Sequence, residues 1–188
     1  PLVRGRDHHS SRPVCRWRWK KSDPDEPDDH ALGRSRGGFS TKIHLVCEAD
    51  GCPIHFELSA GQAHENTTFV DLLNGIDDEL TTGDGELVAW PAAIAGDKGY
   101  RANWIDEMLL ELEITPVIPS KSNEDRDARP VNFDKARYRQ RNIVERLIGW
   151  LKECRCVFAR FEKTAINFAG MIKMAFIQRY LKILANSV

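Results

Sequence analysis

The sequence predicts a mixed α/β fold. At 188 residues and 41% hydrophobic composition, the chain is long enough for one domain with a core. Its first half alternates apolar and polar residues around an Asp-Gly turn signal, as strands do, whereas its second half repeats apolar residues at helical spacing. Strands followed by helices, with further strands between them, are typical of an α/β sandwich.

The elements are expected in the following order. Residues 1–35 carry no apolar period and are expected to be irregular or disordered, which leaves 36–188 as the ordered domain. Thr41–Glu48 and Pro53–Ser59 alternate on either side of Asp50-Gly51, which predicts a hairpin. The remaining predicted elements are a helix over His64–Leu73, a buried strand ending Leu87–Ala95, a helix over Asn103–Glu113, a strand over Ile114–Ile118, and long helices over Lys135–Phe158 and Ala165–Leu184.

Composition argues against several classes of protein. The longest apolar stretches are interrupted by Lys or Arg, and no charged-then-apolar leader opens the chain, so a cytoplasmic protein is expected. The five cysteines are odd in number and lack a paired C-x-x-C pattern, which argues against a disulfide framework and a zinc ribbon.

Charge is segregated although the net charge is only −1. Residues 31–119 hold five basic and fifteen acidic side chains, whereas residues 120–188 hold fifteen basic and seven acidic ones. A basic C-terminal third predicts a polyanionic partner. The alternative is that these charges only solvate helix faces.

Asp97 is the first candidate for a chemical role. It follows an apolar run and stands between two glycines in Gly96-Asp97-Lys98-Gly99-Tyr100, which places it at the carboxyl end of a strand. Open α/β sheets put their sites at that end. The alternative is an ordinary turn aspartate.

Glu145 is the second candidate. Tyr138, Arg141, Glu145 and Lys152 are three, four and seven residues apart, which places them on one face of the predicted helix. This face suits a metal-binding carboxylate beside groups that hold phosphate, or else a solvated stripe of ion pairs. Two carboxylates suit Mg²⁺ or Mn²⁺ and phosphodiester transfer, but such a site requires a third from a central strand.

Three segments resemble the IS-five-type insertion-sequence DDE transposases. Gly33 to His44 reads G-R-S-R-G-G-F-S-T-K-I-H and is similar to the family's G-R-S-R-G-G-x-x-T-K-x-H segment. Gly96–Tyr100 resembles the motif of the second carboxylate, and Tyr138, Arg141, Glu145 and Lys152 match the Y-R-E-K signature at every spacing.

The resemblance implies a ribonuclease-H-like mixed sheet flanked by helices. It implies that Asp97 and Glu145 are catalytic metal ligands and that Tyr138, Arg141 and Lys152 contact transposon-end DNA. It also implies DNA strand cleavage and transfer with Mg²⁺, or Mn²⁺, on double-stranded transposon ends and target, in a nucleoid-associated protein. Expected protein partners are further copies of the chain or an upstream transposase portion.

The family's first aspartate and its central strand are missing from this reading frame. Pro1–Lys21 holds seven basic residues and one acid, Asp7, in no apolar strand. One allowed back-translation, read one base later, encodes a tryptophan-phenylalanine-valine run followed by an aspartate. We therefore interpret residues 1 to about 21 as translated out of the ancestral frame, with the frames meeting near Trp19-Lys20-Lys21.

Other residues admit two interpretations. Arg34 and Arg36, among three glycines, are candidates for holding phosphate, or else belong to a flexible glycine turn. His44 is expected to be a packing or surface histidine. Helical spacing predicts that Phe168, Met171, Ile172, Phe176 and Ile177 form core or a dimer face.

The function expected is therefore that of a DNA transposase catalytic domain that is inactive alone as written. One alternative is a non-catalytic fragment that binds transposon ends or regulates full-length transposase. Another is a nuclease of the same fold that hydrolyses DNA without joining it.

Overall fold

The computed structural model describes residues 2–6, 24–79, 89–125 and 129–186, with side chains for all of these except 2–6 and 77–79. The chain forms two compact units, each built from three separate segments. Unit 1 comprises Pro1–Arg4, His44–Glu57 and His64–Arg146, and unit 2 comprises Gly5–Ile43, Leu58–Ala63 and Leu147–Val188.

The larger sheet has four strands, β1 (Leu2–Arg6), β2 (Gly33–Ser35), β3 (Gly38–Cys47) and β4 (Pro53–Ala60). Its order is β1-β3-β2, and β4 also pairs with β3. The β3–β4 hairpin was predicted. Two short strands lie within residues 1–35, where the sequence predicted irregular chain, and residues 7–23 of that stretch lie outside the described residues.

Strand β3 is buried on both faces. Every residue from Thr41 to Cys47 is buried, although the alternation in the sequence predicted one exposed face. Contacts with other segments bury its alternate side chains: His44 contacts Tyr100 and Val46 belongs to the core of unit 1, whereas Thr41 contacts Ala31 and Arg160 in unit 2. His44 is consequently inside the protein rather than on its surface.

Unit 1 contains a second, parallel sheet. Strand β5 (Ala93–Ala95) pairs with β6 (Thr115–Val117) in the register Ala93↔Thr115, and helix α2 (Asn103–Glu111) makes the crossover. A 3-10 turn at Glu65–Thr68 leads into helix α1 (Phe69–Glu79). The unit's core is formed by Val46, Phe69, Leu72, Leu73, Ile76, Ile94, Tyr100, Ile105, Leu109, Ile114 and Ile118.

The predicted long helix over Lys135–Phe158 is three helices. They are α3 (Lys135–Arg139), α4 (Asn142–Glu153) and α5 (Arg155–Phe158). Between α3 and α4 the backbone hydrogen bonds follow the 3-10 pattern, because the amides of Gln140 and Ile143 donate to carbonyls three residues back. The final helix, α6 (Ala165–Asn186), was predicted within two residues at its C-terminus.

Arg160 connects segments of unit 2 that are distant in the sequence. Its guanidinium donates to the carbonyl oxygens of His30 and Ala31, at 2.5 and 3.0 Å, and to the Thr41 hydroxyl. Burial lowers the pKa of Arg160 to about 10, although Glu26 and Asp29 raise it. The side chain therefore stays charged at neutral pH and holds His30 and Ala31 at positive φ values of 53° and 50°.

The structure places a strand within the segment where the sequence predicted that the first central strand is missing, and residues 7–23 lie outside the described residues. Strand β1 forms and pairs with β3, but its sequence LVRGR contains no carboxylate. In the described part of the chain, the four-stranded and two-stranded sheets share no strand. None of the described helices combines the length and apolar character needed to cross a bilayer.

Candidate metal and nucleic-acid site

Asp97 lies directly after β5 and Gly96, at the carboxyl end of a parallel strand, as the sequence predicted. It occupies the N-cap position of a 3-10 turn over Lys98–Tyr100, yet its side chain makes no capping hydrogen bond. By contrast, Asp134 caps α3 by accepting hydrogen bonds from the amides of Ala136 and Arg137. The partly exposed Asp97 carboxylate is therefore not used to cap its own turn.

The turn that carries Asp97 is held by two buried contacts. The Tyr100 hydroxyl lies 2.6 Å from Nδ1 of His44, and both residues are fully buried. On the other side, a Cβ at Gly99 would come within 2.9 Å of the side chain of Glu65, which is itself buried. Gly99 is thus required for the close approach of the turn to Glu65. The turn packs between β3 and the segment before α1.

Sequence reasoning missed the His44–Tyr100 contact. The two residues are 56 positions apart, and no local pattern joins them. The signal available was that both occur in the segments that carry the family resemblance, but spacing along the chain gives no indication that they touch.

Arg141 connects two of the other predicted site residues. Its guanidinium carbon lies 5.3 Å from the centre of the Tyr138 ring, and its Nη2 donates to the Glu145 carboxylate at 2.5 Å. Tyr138 belongs to α3 and Glu145 to the first turn of α4, so Arg141 bridges the break between the helices. The prediction of one continuous helix was wrong, but these three side chains do lie together.

A cavity of about 240 Å³ opens beside this bridge, within unit 1. Alanines of β5 and Val117 of β6 form an apolar floor, and Arg137, Gln140 and Arg141 add polar groups. The Nε atom of Arg141 is buried and has no hydrogen-bond partner among the residues that the structure describes. Sequence reasoning did not single out Arg137 or Gln140.

The oxygen donors of Asp97 and Glu145 suit a hard divalent cation. Glu145 is 54% exposed and can be approached from solvent. Among the acidic, histidine and cysteine side chains that the structure describes, one set of three has its ligand atoms within 4.8 Å of one another: Glu48, Asp50 and Cys52. Neither Asp97 nor Glu145 belongs to it, so the two carboxylates fit such an ion chemically but do not form a complete ligand set.

The β3–β4 turn explains why the side chains of Glu48, Asp50 and Cys52 lie close together. Asp50 accepts a hydrogen bond from the Cys52 amide at 2.9 Å, and the Cys52 thiol lies 3.4 Å from the same carboxylate. These are the contacts of an aspartate that closes a turn on its own backbone.

The remaining predicted DNA-binding residues belong to unit 2. Arg34 and Arg36 are exposed, in β2 and in the two-residue turn to β3, and Gly38 after the turn has φ 107°. They therefore lie on a paired hairpin rather than in a flexible glycine loop. Lys152 is partly buried in the last turn of α4.

Comparison with known proteins identifies the family of this chain. The family described as "Transposase DDE domain" matches residues 8–177, beginning within the segment that we interpret as out of frame. A putative transposase for insertion sequence element IS402 of Burkholderia cepacia is 26% identical over 159 residues, covering 85% of this chain and 68% of that protein.

A second relative is the putative transposase for insertion sequence element IS6501 of Brucella ovis. It is 27% identical over 145 residues, which cover 77% of this chain and all of that protein. No solved structure matches the chain significantly. Because the family match spans most of the sequence, the chain belongs to the transposase DDE domain family, whose members cut and join DNA strands with divalent metal ions.

Proposed function

We propose that this chain is the ribonuclease-H-like catalytic portion of an IS-five-type transposase. Asp97 and Glu145 hold Mg²⁺, or Mn²⁺, and Tyr138, Arg141, Lys152, Arg34 and Arg36 contact the DNA of transposon ends and target. The protein acts on the nucleoid as a homo-oligomer or together with an upstream transposase portion. By itself it binds DNA and does not complete strand transfer.

The observation that carries this proposal is the Arg141 bridge. The sequence spacing of Tyr138, Arg141 and Glu145 is that of the family signature, and the three side chains touch across the α3–α4 break. An ordinary solvated stripe of ion pairs would not require a break in the helix beside a cavity with an apolar floor.

The protein groups have separate roles in this proposal. Asp97 and Glu145 present oxygen ligands, and a bound divalent ion supplies Lewis acidity at the scissile phosphate. Arg141 has two roles: its Nη2 orients the Glu145 carboxylate, and its positive charge beside the cavity attracts a phosphate group. Tyr138 restricts the guanidinium from one side.

The missing third carboxylate explains why the isolated chain should not complete the reaction. Two acids leave the metal underliganded, and β1 brings none to the sheet. DNA affinity does not depend on that acid and is therefore expected to persist.

The test measures binding to duplex DNA of mixed sequence over a range of salt concentrations. Removing a phosphate contact lowers the slope of log affinity against log salt by about 0.9. We expect that reduction for Arg141→Ala and not for Arg141→Lys. Arg155→Ala is the matched control, because Arg155 is exposed on α5 and outside the site. An equal loss in Arg155→Ala would contradict a localised DNA site.

Mn²⁺ binding separates the catalytic proposal from its alternatives. We expect Asp97→Asn and Glu145→Gln each to weaken Mn²⁺ binding, measured by electron paramagnetic resonance. Unchanged Mn²⁺ binding together with retained DNA affinity would favour a non-catalytic regulatory fragment. Metal-dependent cleavage without joined products would favour a nuclease.

A further inference from the structure

Tyr100 closes the turn that carries Asp97. Its backbone amide donates to the Asp97 carbonyl oxygen at 2.9 Å, and the Arg101 amide donates to the Lys98 carbonyl oxygen at 3.1 Å. The Tyr100 ring is fully buried in the core of unit 1 and lies 6.1 Å from the ring of Phe69, centre to centre. The position of the Asp97 main chain therefore depends on where the Tyr100 side chain is held.

His44 of β3 fixes the direction of the Tyr100 side chain. The two rings meet edge to face at 75°, and the Tyr100 hydroxyl lies within hydrogen-bond distance of His44 Nδ1. Apolar packing against Phe69 does not depend on direction, whereas a hydrogen bond does. Because both partners are fully buried, the surrounding protein strengthens this bond and makes its loss costly. The bond thus gives the turn a directional contact with the core.

The other end of the turn is bound to the parallel sheet. The Gly96 amide donates to the Val117 carbonyl oxygen of β6 at 3.2 Å. A Cβ at Gly96 would lie 3.2 Å from Cγ1 of Ile118, so the main chain also packs closely against the strand end. Asp97 therefore stands between a residue bound to β6 and a turn bound, through Tyr100, to β3.

We propose that His44 is a positioning residue for Asp97: it holds the Tyr100 hydroxyl and thereby fixes where the Asp97 carboxylate is presented to a divalent cation. The inference rests on the proposed role of Asp97 as a metal ligand. The Asp97 side chain makes no capping hydrogen bond, so its own turn does not use the carboxylate. Metal ligands have to be held within about 0.5 Å of their working geometry by the residues around them.

Tyr100→Phe is the most direct test, because it removes the hydroxyl and keeps the buried ring. Loss of a hydrogen bond of ordinary strength should let the turn open about five- to tenfold more often. Hydrogen–deuterium exchange followed by nuclear magnetic resonance should show that increase at the amides of residues 100 and 101, which close the turn. Mn²⁺ binding, measured by electron paramagnetic resonance, should weaken by about tenfold, as when other supporting partners of metal ligands are lost.

Variants of His44 identify the hydrogen bond as the cause. Asparagine presents an amide near the position of Nδ1, and an amide can donate or accept, whereas leucine does neither. We therefore expect His44→Leu to reproduce the effect of Tyr100→Phe, and His44→Asn to retain most of the Mn²⁺ affinity. Combining His44→Leu with Tyr100→Phe should weaken Mn²⁺ binding no further than Tyr100→Phe does alone, because both remove one shared bond.

Ile76→Val is the matched control for a general loss of stability. Ile76 lies on α1 in the same core and is buried. The substitution removes one buried methyl group and leaves the His44–Tyr100 bond in place. It should lower thermal stability without changing Mn²⁺ affinity or exchange at residues 100 and 101. Equal losses of Mn²⁺ affinity in Ile76→Val and Tyr100→Phe would overturn the positioning role.

Failure of this inference differs from failure of the metal site. Unchanged exchange in Tyr100→Phe, or no difference between His44→Asn and His44→Leu, would overturn the role of His44. Unchanged Mn²⁺ binding in Asp97→Asn would instead overturn the metal site, and the exchange measurement would still decide whether His44 holds the turn. If His44→Leu does not fold, Tyr100→Phe decides the outcome, because it keeps the ring in the core.

Discussion

Asp106 joins two buried arginines in unit 1. Arg129 donates Nε and Nη2 to its two carboxylate oxygens at 2.6 and 2.9 Å, and Arg101 Nη1 lies 3.2 Å from one of them without hydrogen-bond geometry. All three side chains are at most 2% exposed, and Arg101 also pairs with Glu124. Asp106 is therefore the carboxylate partner of Arg129, and it shares Arg101 with Glu124.

We expect Asp106→Ala to lower the free energy of unfolding by roughly 3–5 kcal/mol, because it leaves the buried Arg129 guanidinium without its carboxylate partner. Urea denaturation followed by circular dichroism would measure this. Glu107→Gln is the matched control, since Glu107 is the exposed neighbour on the same helix, and it should change stability by less than about 0.5 kcal/mol. A loss in Asp106→Ala no larger than the control's would contradict the role assigned to this cluster.

Sequence reasoning identified single residues better than it identified their partners. Asp97 could be placed because an apolar run and flanking glycines are local signals. The burial of His44 could not be predicted, because its partner Tyr100 lies 56 residues away along the chain. The Asp106 cluster was missed for the same reason, since its arginines lie 5 and 23 residues away along the chain.

At the scale of the element, helix α6 is capped at its N-terminus by a side chain from a segment that is distant in the sequence. Glu26 is 3% exposed, and its carboxylate accepts hydrogen bonds from the amides of Ala165 and Ile166 at 2.7 and 2.9 Å. His30 Nδ1 lies 2.5 Å from the same carboxylate. Burial raises the pKa of Glu26, but the two amides and His30 lower it more, so it stays below its usual value of 4.5.

The lowered pKa of Glu26 predicts a pH-dependent contribution to stability. A carboxyl group whose pKa is lower in the folded state stabilises the fold above its unfolded pKa and loses that effect as pH falls through the folded value. We expect Glu26→Gln to cost about 1–2 kcal/mol at pH 7, with the difference from the parent shrinking below about pH 4.5. Denaturant titrations at several pH values would measure it. A difference that is independent of pH would show that the charge is not what caps α6.

The elements themselves were largely predictable from periodicity. The β3–β4 hairpin, β5, α2, β6 and α6 were predicted in the right order. The break between α3 and α4 was not, because Gln140 and Arg141 are ordinary helix formers and contain no Gly or Pro signal. The short strands β1 and β2 were not predicted because three to five residues rich in arginine and glycine show no alternating apolar pattern.

At the scale of the whole molecule, the separation of the two sheets is the feature that most concerns activity. Strand β1 pairs with β3 but adds no carboxylate. The strand order itself could not be read from the sequence, because pairing partners are not local.

We expect the DNA encoding Pro1–Lys21, read one base later, to encode an apolar strand bearing an aspartate and to meet the present frame at an adenine-rich run near Lys20-Lys21. Sequencing that DNA in all three frames is the measurement. Stop codons in the shifted frame, or the absence of an acid-bearing strand there, would contradict the frame hypothesis. The chain would then be the product of a decayed gene copy that no longer acts in catalysis.

Unit 2 also constrains the timing of folding on the ribosome. Glu26 and Ala165 are 139 residues apart, and the contacts of Arg160 with His30 and Ala31 span a similar distance. At about 5–20 residues per second, the early segment must wait roughly 7–28 s for its partners to be synthesised. During that interval the arginine-rich hairpin at Gly33–Gly38 exists as nascent chain, without the helix whose first turn Glu26 will cap.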